Sequence, residues 1–159
     1  MALARQDLRL IVRPSDRVAG AAPYADSRAH PGPDVVDATR LAFRYANLET
    51  ALEAESGILW ATMRHPERAC FTPGLVADGQ HFQRWLRRTY GRLGRARPPF
   101  RHLVLRSASN SAWNLGGDLS TFTRLIRARD AGKLRAYAHG TVELLHDHYK
   151  AYDLPITTV

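Results

Sequence analysis

One ordered alternation of strand and helix patterns constrains this chain more than any bulk property. Leu48, Thr50 and Leu52 alternate with Glu49, Ala51 and Glu53, and after Ser56-Gly57 comes the apolar run Ile58 to Met63. That is a β-hairpin signal. Pro66 closes the second strand, and Thr72-Pro73 supplies a helix cap with proline at the first helical position. In the helix so begun, Phe82, Trp85, Leu86, Tyr90 and Leu93 recur at three- and four-residue spacing. Pro98-Pro99 ends it, and His102 to Leu105 reads as a short apolar strand. After Asp118 helical spacing resumes at Leu119, Phe122, Leu125 and Ile126, then at Leu134, Tyr137, Ala138, Val142 and Leu145, with Gly132 expected between two helices. Pro155 is expected to end the second, and Ile156 to Val159 to open a strand without a partner, leaving a chain poorly stable by itself. The order strand, strand, helix, strand, helix, helix, strand predicts an α/β fold with a parallel component.

Upstream, Met1 to about Arg40 is rich in Ala, Arg, Asp, Pro and Gly without sustained periodicity. The expected division is a flexible basic extension over 1–46 and one folded domain over 47–159. The chain carries a net charge of +8 over 159 residues, so a partner with negative charge is expected. A basic nucleic-acid-binding protein is one reading, but acidic residues interleave the arginines and no aromatic stacking platform accompanies them. Charges at Arg5, Asp7, Arg9 and Arg13 break up the N-terminal apolar residues, and no apolar run approaches the ~18 residues of a membrane span. A single cysteine, Cys70, cannot form an internal disulfide and reads as a small buried hydrophobe. The expected setting is cytoplasmic, with no membrane partner.

The richest stretch for chemistry is Leu103 to Ser107 followed by Trp113-Asn114-Leu115-Gly116-Gly117-Asp118-Leu119. A strand, a loop, paired glycines and an Asp at a helix start leave backbone N–H groups where an anion or developing oxyanion can bind. Spacing alone also fits a simple Gly-Gly-Asp turn capping a helix. On the preceding helix Arg84, Arg88, Arg92 and Arg95 form a stripe, read either as a solvated face or as a docking surface for phosphates or an acidic protein. His139, Glu143 and His146 share a helix face at metal-ligand spacing, yet no zinc-protease motif accompanies them, and surface positions are expected.

The segment VLRSASNSAWNLGGDLSTFTRLIRARDAGKLRAYA resembles the enoyl-CoA hydratase/isomerase (crotonase) superfamily where a strand feeds the first oxyanion-hole loop. The wording NLGGDL with a following Phe is especially similar to the synthases of diffusible cis-2-unsaturated fatty acid signals. MRHPERACFTPGLV resembles the strand, loop and helix that begin the acyl-thioester site, and YDLPITTV the helix end and strand preceding the second oxyanion glycine. The likeness runs from about Leu48 to Val159.

This resemblance implies the N-terminal part of a crotonase-like ββα spiral that binds an acyl thioester of coenzyme A or acyl carrier protein. No tightly bound cofactor is implied; coenzyme A or phosphopantetheine arrives as part of the substrate. By position in the motif, Gly117 would donate the first oxyanion-hole N–H, with Gly116 keeping the loop open. Trp113 and Leu115 would flank the acyl and pantetheine entrance beside Asp118, and Arg68 and Ala69 fall where the family contacts the adenine end. The arginine stripe would then steer an acidic carrier protein. In the family the second donor and the catalytic glutamates follow the strand that opens at Ile156, so none is carried over here. Two further expectations follow: an acyl-thioester unit completed by a C-terminal half or a homo-oligomer, or a catalytically incompetent fragment or scaffold that keeps carrier-protein contacts.

Overall fold

A computed structural model describes residues 34–37, 41–90 and 98–159, of which 35–37 by their backbone alone. The fold is α/β, built among the described residues on one mixed six-stranded sheet in chain order. Strands β1 (Asp34–Asp37), β2 (Ala42–Arg44), β3 (Leu48–Glu53) and β4 (Ile58–Met63) form an antiparallel meander. Helix α1 (Pro73–Tyr90) returns the chain to β5 (His102–Ser107), which pairs in parallel with β4. Helices α2 (Leu119–Arg127) and α3 (Ala131–Tyr149) then lead to β6 (Thr157–Thr158), parallel to β5.

The alternation in sequence is the alternation of faces. Leu59, Ala61 and Met63 of β4 are buried with Leu48 and Thr50 of β3 and Leu103 of β5, and α1 and α3 cover them with Leu75, Val76, Phe82, Leu86, Tyr137 and Leu144. Two-residue periodicity thus selects which side of the sheet meets the helices. Along α1, positions four apart make the seam with α3. A Cβ on Gly79 would lie 2.6 Å from Leu144, Gln83 Nε2 donates to the Leu144 carbonyl at 2.8 Å, and Arg87 pairs with Asp147 at 2.6 Å. Glycine therefore lets the helices approach where the two polar contacts cannot stretch.

Four expectations need correction. The sheet begins at Asp34, inside the stretch expected to be flexible, because Phe43 and Arg44 pair with Thr50 and Glu49 and Phe43 packs edge-on against Trp85 at 4.8 Å. Residues 1–33 lie outside the described ones. The strand at the C-terminal end does find a partner, since Thr157 and Val159 N–H donate to the Arg101 and Leu103 carbonyls. Helix α3 stops at Tyr149, ahead of Pro155, and a turn with left-handed Ala151, Tyr152 and Asp153 follows, held by buried Tyr152 and its hydroxyl contact with His148 at 2.7 Å.

The break between α2 and α3 falls at Arg129 rather than Gly132. Arg129 has φ +53°, its N–H donates to the Ile126 carbonyl, and the next N–H, from Asp130, reaches back to Leu125. This is a Schellman stop with arginine where glycine is usual. Asp130 at once caps α3 by accepting from Lys133 N–H at 2.9 Å. A left-handed non-glycine residue costs about 1–2 kcal/mol, while glycine loosens the unfolded chain by less. Arg129→Gly is therefore expected to stabilise the fold by about 0.5–1 kcal/mol, seen as a higher denaturant midpoint at constant slope. An unchanged or lower midpoint contradicts the assigned stop.

Candidate functional site

The chain leaves the carboxyl ends of the parallel neighbours β4 and β5 at the same edge of the sheet, the place where open α/β sheets most often bind ligands. The two exits do not diverge. Leu115 N–H donates to the Ala69 carbonyl at 2.5 Å, Phe71 N–H to the Gly116 carbonyl at 2.8 Å, and Phe71 and Gly117 form an isolated parallel bridge. Helices α1 and α2 both begin two residues beyond this bridge. Each helix start carries roughly half a positive elementary charge, so two positive ends converge on it.

Consecutive amides in the loop have distinct fates. Leu115 N–H is spent on Ala69, Gly116 N–H on Asn114 Oδ1 at 2.7 Å, and Asp118 N–H on the Tyr137 hydroxyl at 2.7 Å. Gly117 N–H alone of these four has no acceptor among the described residues. The glycines serve different ends. Gly116 needs its left-handed φ of +89°, with open space around it. At Gly117 a Cβ would come within 2.8 Å of the Phe122 ring. The loop thus presents a donor backed closely by an aromatic ring.

Asp118 has a different task. Its carboxylate accepts from Ser120 N–H at 3.0 Å and from the Thr121 hydroxyl at 2.5 Å, capping α2. Burial by itself would raise its pKa, but these hydrogen bonds outweigh burial and hold the carboxyl below its ordinary value. Trp113 is half exposed with its indole N–H fixed to the Leu105 carbonyl at 3.1 Å, while Leu115 stands 70% exposed at the loop's rim. Buried Ala69 contributes its carbonyl to the loop, and Arg68 beside it is exposed. Behind the loop lies a cavity of about 30 Å³ whose lining includes Met63, Phe71, Leu75, Leu105 and Leu144. That is room for about two water molecules in an apolar wall.

The arginine stripe is only partly brought near. Arg84 is half buried and its pKa is lowered by burial first and then by Arg88, which is exposed. With a rise of 1.5 Å per residue, these two lie about 17–22 Å up α1 from its start beside the loop. Arg92 and Arg95 fall outside the described residues. His139, Glu143 and His146 are exposed on α3, and among the described residues no group of three or more His, Cys, Asp or Glu side chains is placed to hold a metal. Burial raises the Cys70 thiol pKa, followed by the influence of Asp118. Among the described residues no helix is long and apolar enough to cross a membrane.

Sequence reasoning missed three members of the site. Asn114 had a readable signal, a side chain turned back onto the N–H two residues on. Phe122 belongs to the helical spacing and follows the NLGGDL motif, but neither signal shows its ring backing Gly117. Tyr137 had no local signal, because its partner Phe71 is 66 residues away.

No family model matches the chain, and no curated protein matches it. Among solved structures it is similar to an enoyl-CoA hydratase/carnitine racemase from Magnetospirillum magneticum, with 20% identity over 72% of this chain and 38% of that one, and a TM-score of 0.47. It is also similar to Pseudomonas aeruginosa DspI, with 15% identity over 58% of this chain and 36% of that one, and a TM-score of 0.39. The chain spans less than two fifths of either protein's length.

Asp118→Ala should lower stability by about 1 kcal/mol at neutral pH by removing the α2 cap. A carboxyl with a depressed folded pKa contributes stability that is full above its unfolded value and lost as pH falls through the folded one. The gap between wild type and variant, followed by urea unfolding, should therefore shrink below about pH 3.8. A gap independent of pH contradicts the ionised cap.

Proposed function

We propose that this chain is an acyl-thioester binding unit of crotonase type, in which the Gly117 N–H polarises the thioester carbonyl. The observation that carries the reading is the one amide without an acceptor among the described residues in the run from Leu115 to Asp118. A carbonyl oxygen placed there gains a fixed donor and the positive ends of α1 and α2, all stronger in partly water-excluded surroundings than in bulk water. Trp113 and Leu115 offer apolar surface at the rim, which suits the start of an acyl chain. The NLGGDL motif and its neighbours supply the second support, by resemblance to the superfamily and to the fatty acid signal synthases.

The chemistry supported is binding and carbonyl polarisation. Proton transfer at the α- or β-carbon needs a positioned carboxyl. Asp118 engages both carboxylate oxygens in capping, and Glu143 is exposed on α3. Hydration, dehydration or isomerisation thus requires acid and base groups from beyond the described site. A complementing segment or a second copy would supply them. Coenzyme A and carrier-bound phosphopantetheine present the same thioester; Arg68 near the loop and Arg84 and Arg88 farther up α1 suit the anionic handle of either.

The test compares an acyl-pantetheine thioester with the thioether in which a methylene replaces the carbonyl, by calorimetric titration. One neutral hydrogen bond predicts binding of the thioester about three- to tenfold tighter. Gly117→Ala should erase that preference. Equal affinity for both compounds, or no affinity for either, refutes the reading.

A further inference from the structure

The Phe71 to Gly117 bridge departs from a regular parallel ladder at one point. In such a ladder the Phe71 N–H to Gly116 carbonyl bond is followed by a bond from the Asp118 N–H to the Phe71 carbonyl. Here a side chain stands between those groups: the Tyr137 hydroxyl donates to the Phe71 carbonyl at 2.5 Å and accepts from the Asp118 N–H at 2.7 Å. One hydroxyl thus engages both backbone groups at once.

We propose that Tyr137 is a positioning residue, whose hydroxyl keeps the Gly117 N–H presented to ligand by preventing the Phe71 and Asp118 backbones from closing on each other. This rests on the reading of Gly117 as the carbonyl donor. Tyr137 is well placed for the role. It is fully buried on α3, so its ring cannot swing away, and Phe122 meets it edge-on at 5.2 Å while packing against Gly117. A Cβ on Gly117 would lie 3.7 Å from the Tyr137 hydroxyl. Burial raises the phenol's pKa, which keeps the proton needed for donation to Phe71. Helix α3 is thereby tied to the loop through two backbone contacts rather than by packing alone. Removing the hydroxyl lets Asp118 N–H reach Phe71 directly, shifting the plane of the neighbouring Gly117 peptide.

Two measurements decide this. Amide hydrogen exchange on the wild-type chain should show Asp118 strongly protected and Gly117 at least tenfold less so. The carbonyl ¹³C resonance of a bound, carbonyl-labelled acyl-pantetheine thioester should move downfield in wild type. In Tyr137→Phe that displacement should fall by half or more, with ligand affinity kept within about threefold, since a carbonyl hydrogen bond is one contribution among several. A Tyr137→Phe protein that binds with the full carbonyl displacement overturns the proposal, as does equal protection of Gly117 and Asp118 in wild type. Should wild type show no carbonyl displacement, the thioester reading fails by itself, and the exchange contrast still decides whether Tyr137 holds the loop. Should Tyr137→Phe fail to fold, that same contrast in wild type is the deciding result.

Discussion

Two chain exits from adjacent parallel strands are tied together before either becomes a helix, and the arrangement of the whole site depends on that tie. The Phe71 and Gly117 segments run side by side for one bridge, so α1 and α2 must start at the same edge of the sheet. Backbone amides in such a crossing have to be satisfied or exposed. Ala69, Asn114 and Tyr137 take three of the four successive N–H groups from Leu115 to Asp118, and the fourth belongs to Gly117, the position to which the motif resemblance assigns the donor. The sheet supplies the edge, the helices supply positive ends, and α3 reaches back across the molecule to hold the loop with one hydroxyl. Each level constrains the next.

Local patterns foretold local structure well. The alternation from Leu48 to Met63 became two paired strands, and Thr72-Pro73 began a helix in which the Thr72 hydroxyl accepts from Leu75 N–H. Where expectation failed, a nonlocal interaction outweighed propensity. Thr50 carries its hydroxyl to the Leu41 carbonyl and stabilises a β2 strand that composition gave no reason to expect. The exception is local: arginine at position 129 takes the left-handed turn expected at Gly132, because the Schellman bonds and the Asp130 cap fall at that spacing. The short β6 strand pairs because Arg101 and Leu103 present carbonyls to it.

The same division governs the site. Paired glycines before a capping Asp were visible in the sequence, and each proved to have a separate physical reason, conformational at Gly116 and steric at Gly117. The motif resemblance points to Gly117, but what occupies the amides beside it was not visible, for that depends on Tyr137 and Ala69, residues distant in sequence. Buried Asp78 shows the same limit elsewhere. A carboxylate on the inner face of α1 reads as a misfit until Asn47 is seen donating to it from both its backbone N–H, at 2.6 Å, and its side-chain amide, at 2.9 Å. Buried polar groups of this kind require long-range partners, and a linear pattern does not name them.

The account turns on one donor, and the most direct measurement is an amide NMR titration of the loop with an acyl-pantetheine thioester. The predicted result is a downfield movement of the Gly117 N–H proton on binding, with Leu115, Gly116 and Asp118 amides changing little because their acceptors are already in place. A Gly117 resonance that stays put while ligand binds, or one that moves no more than its three neighbours, would contradict the account.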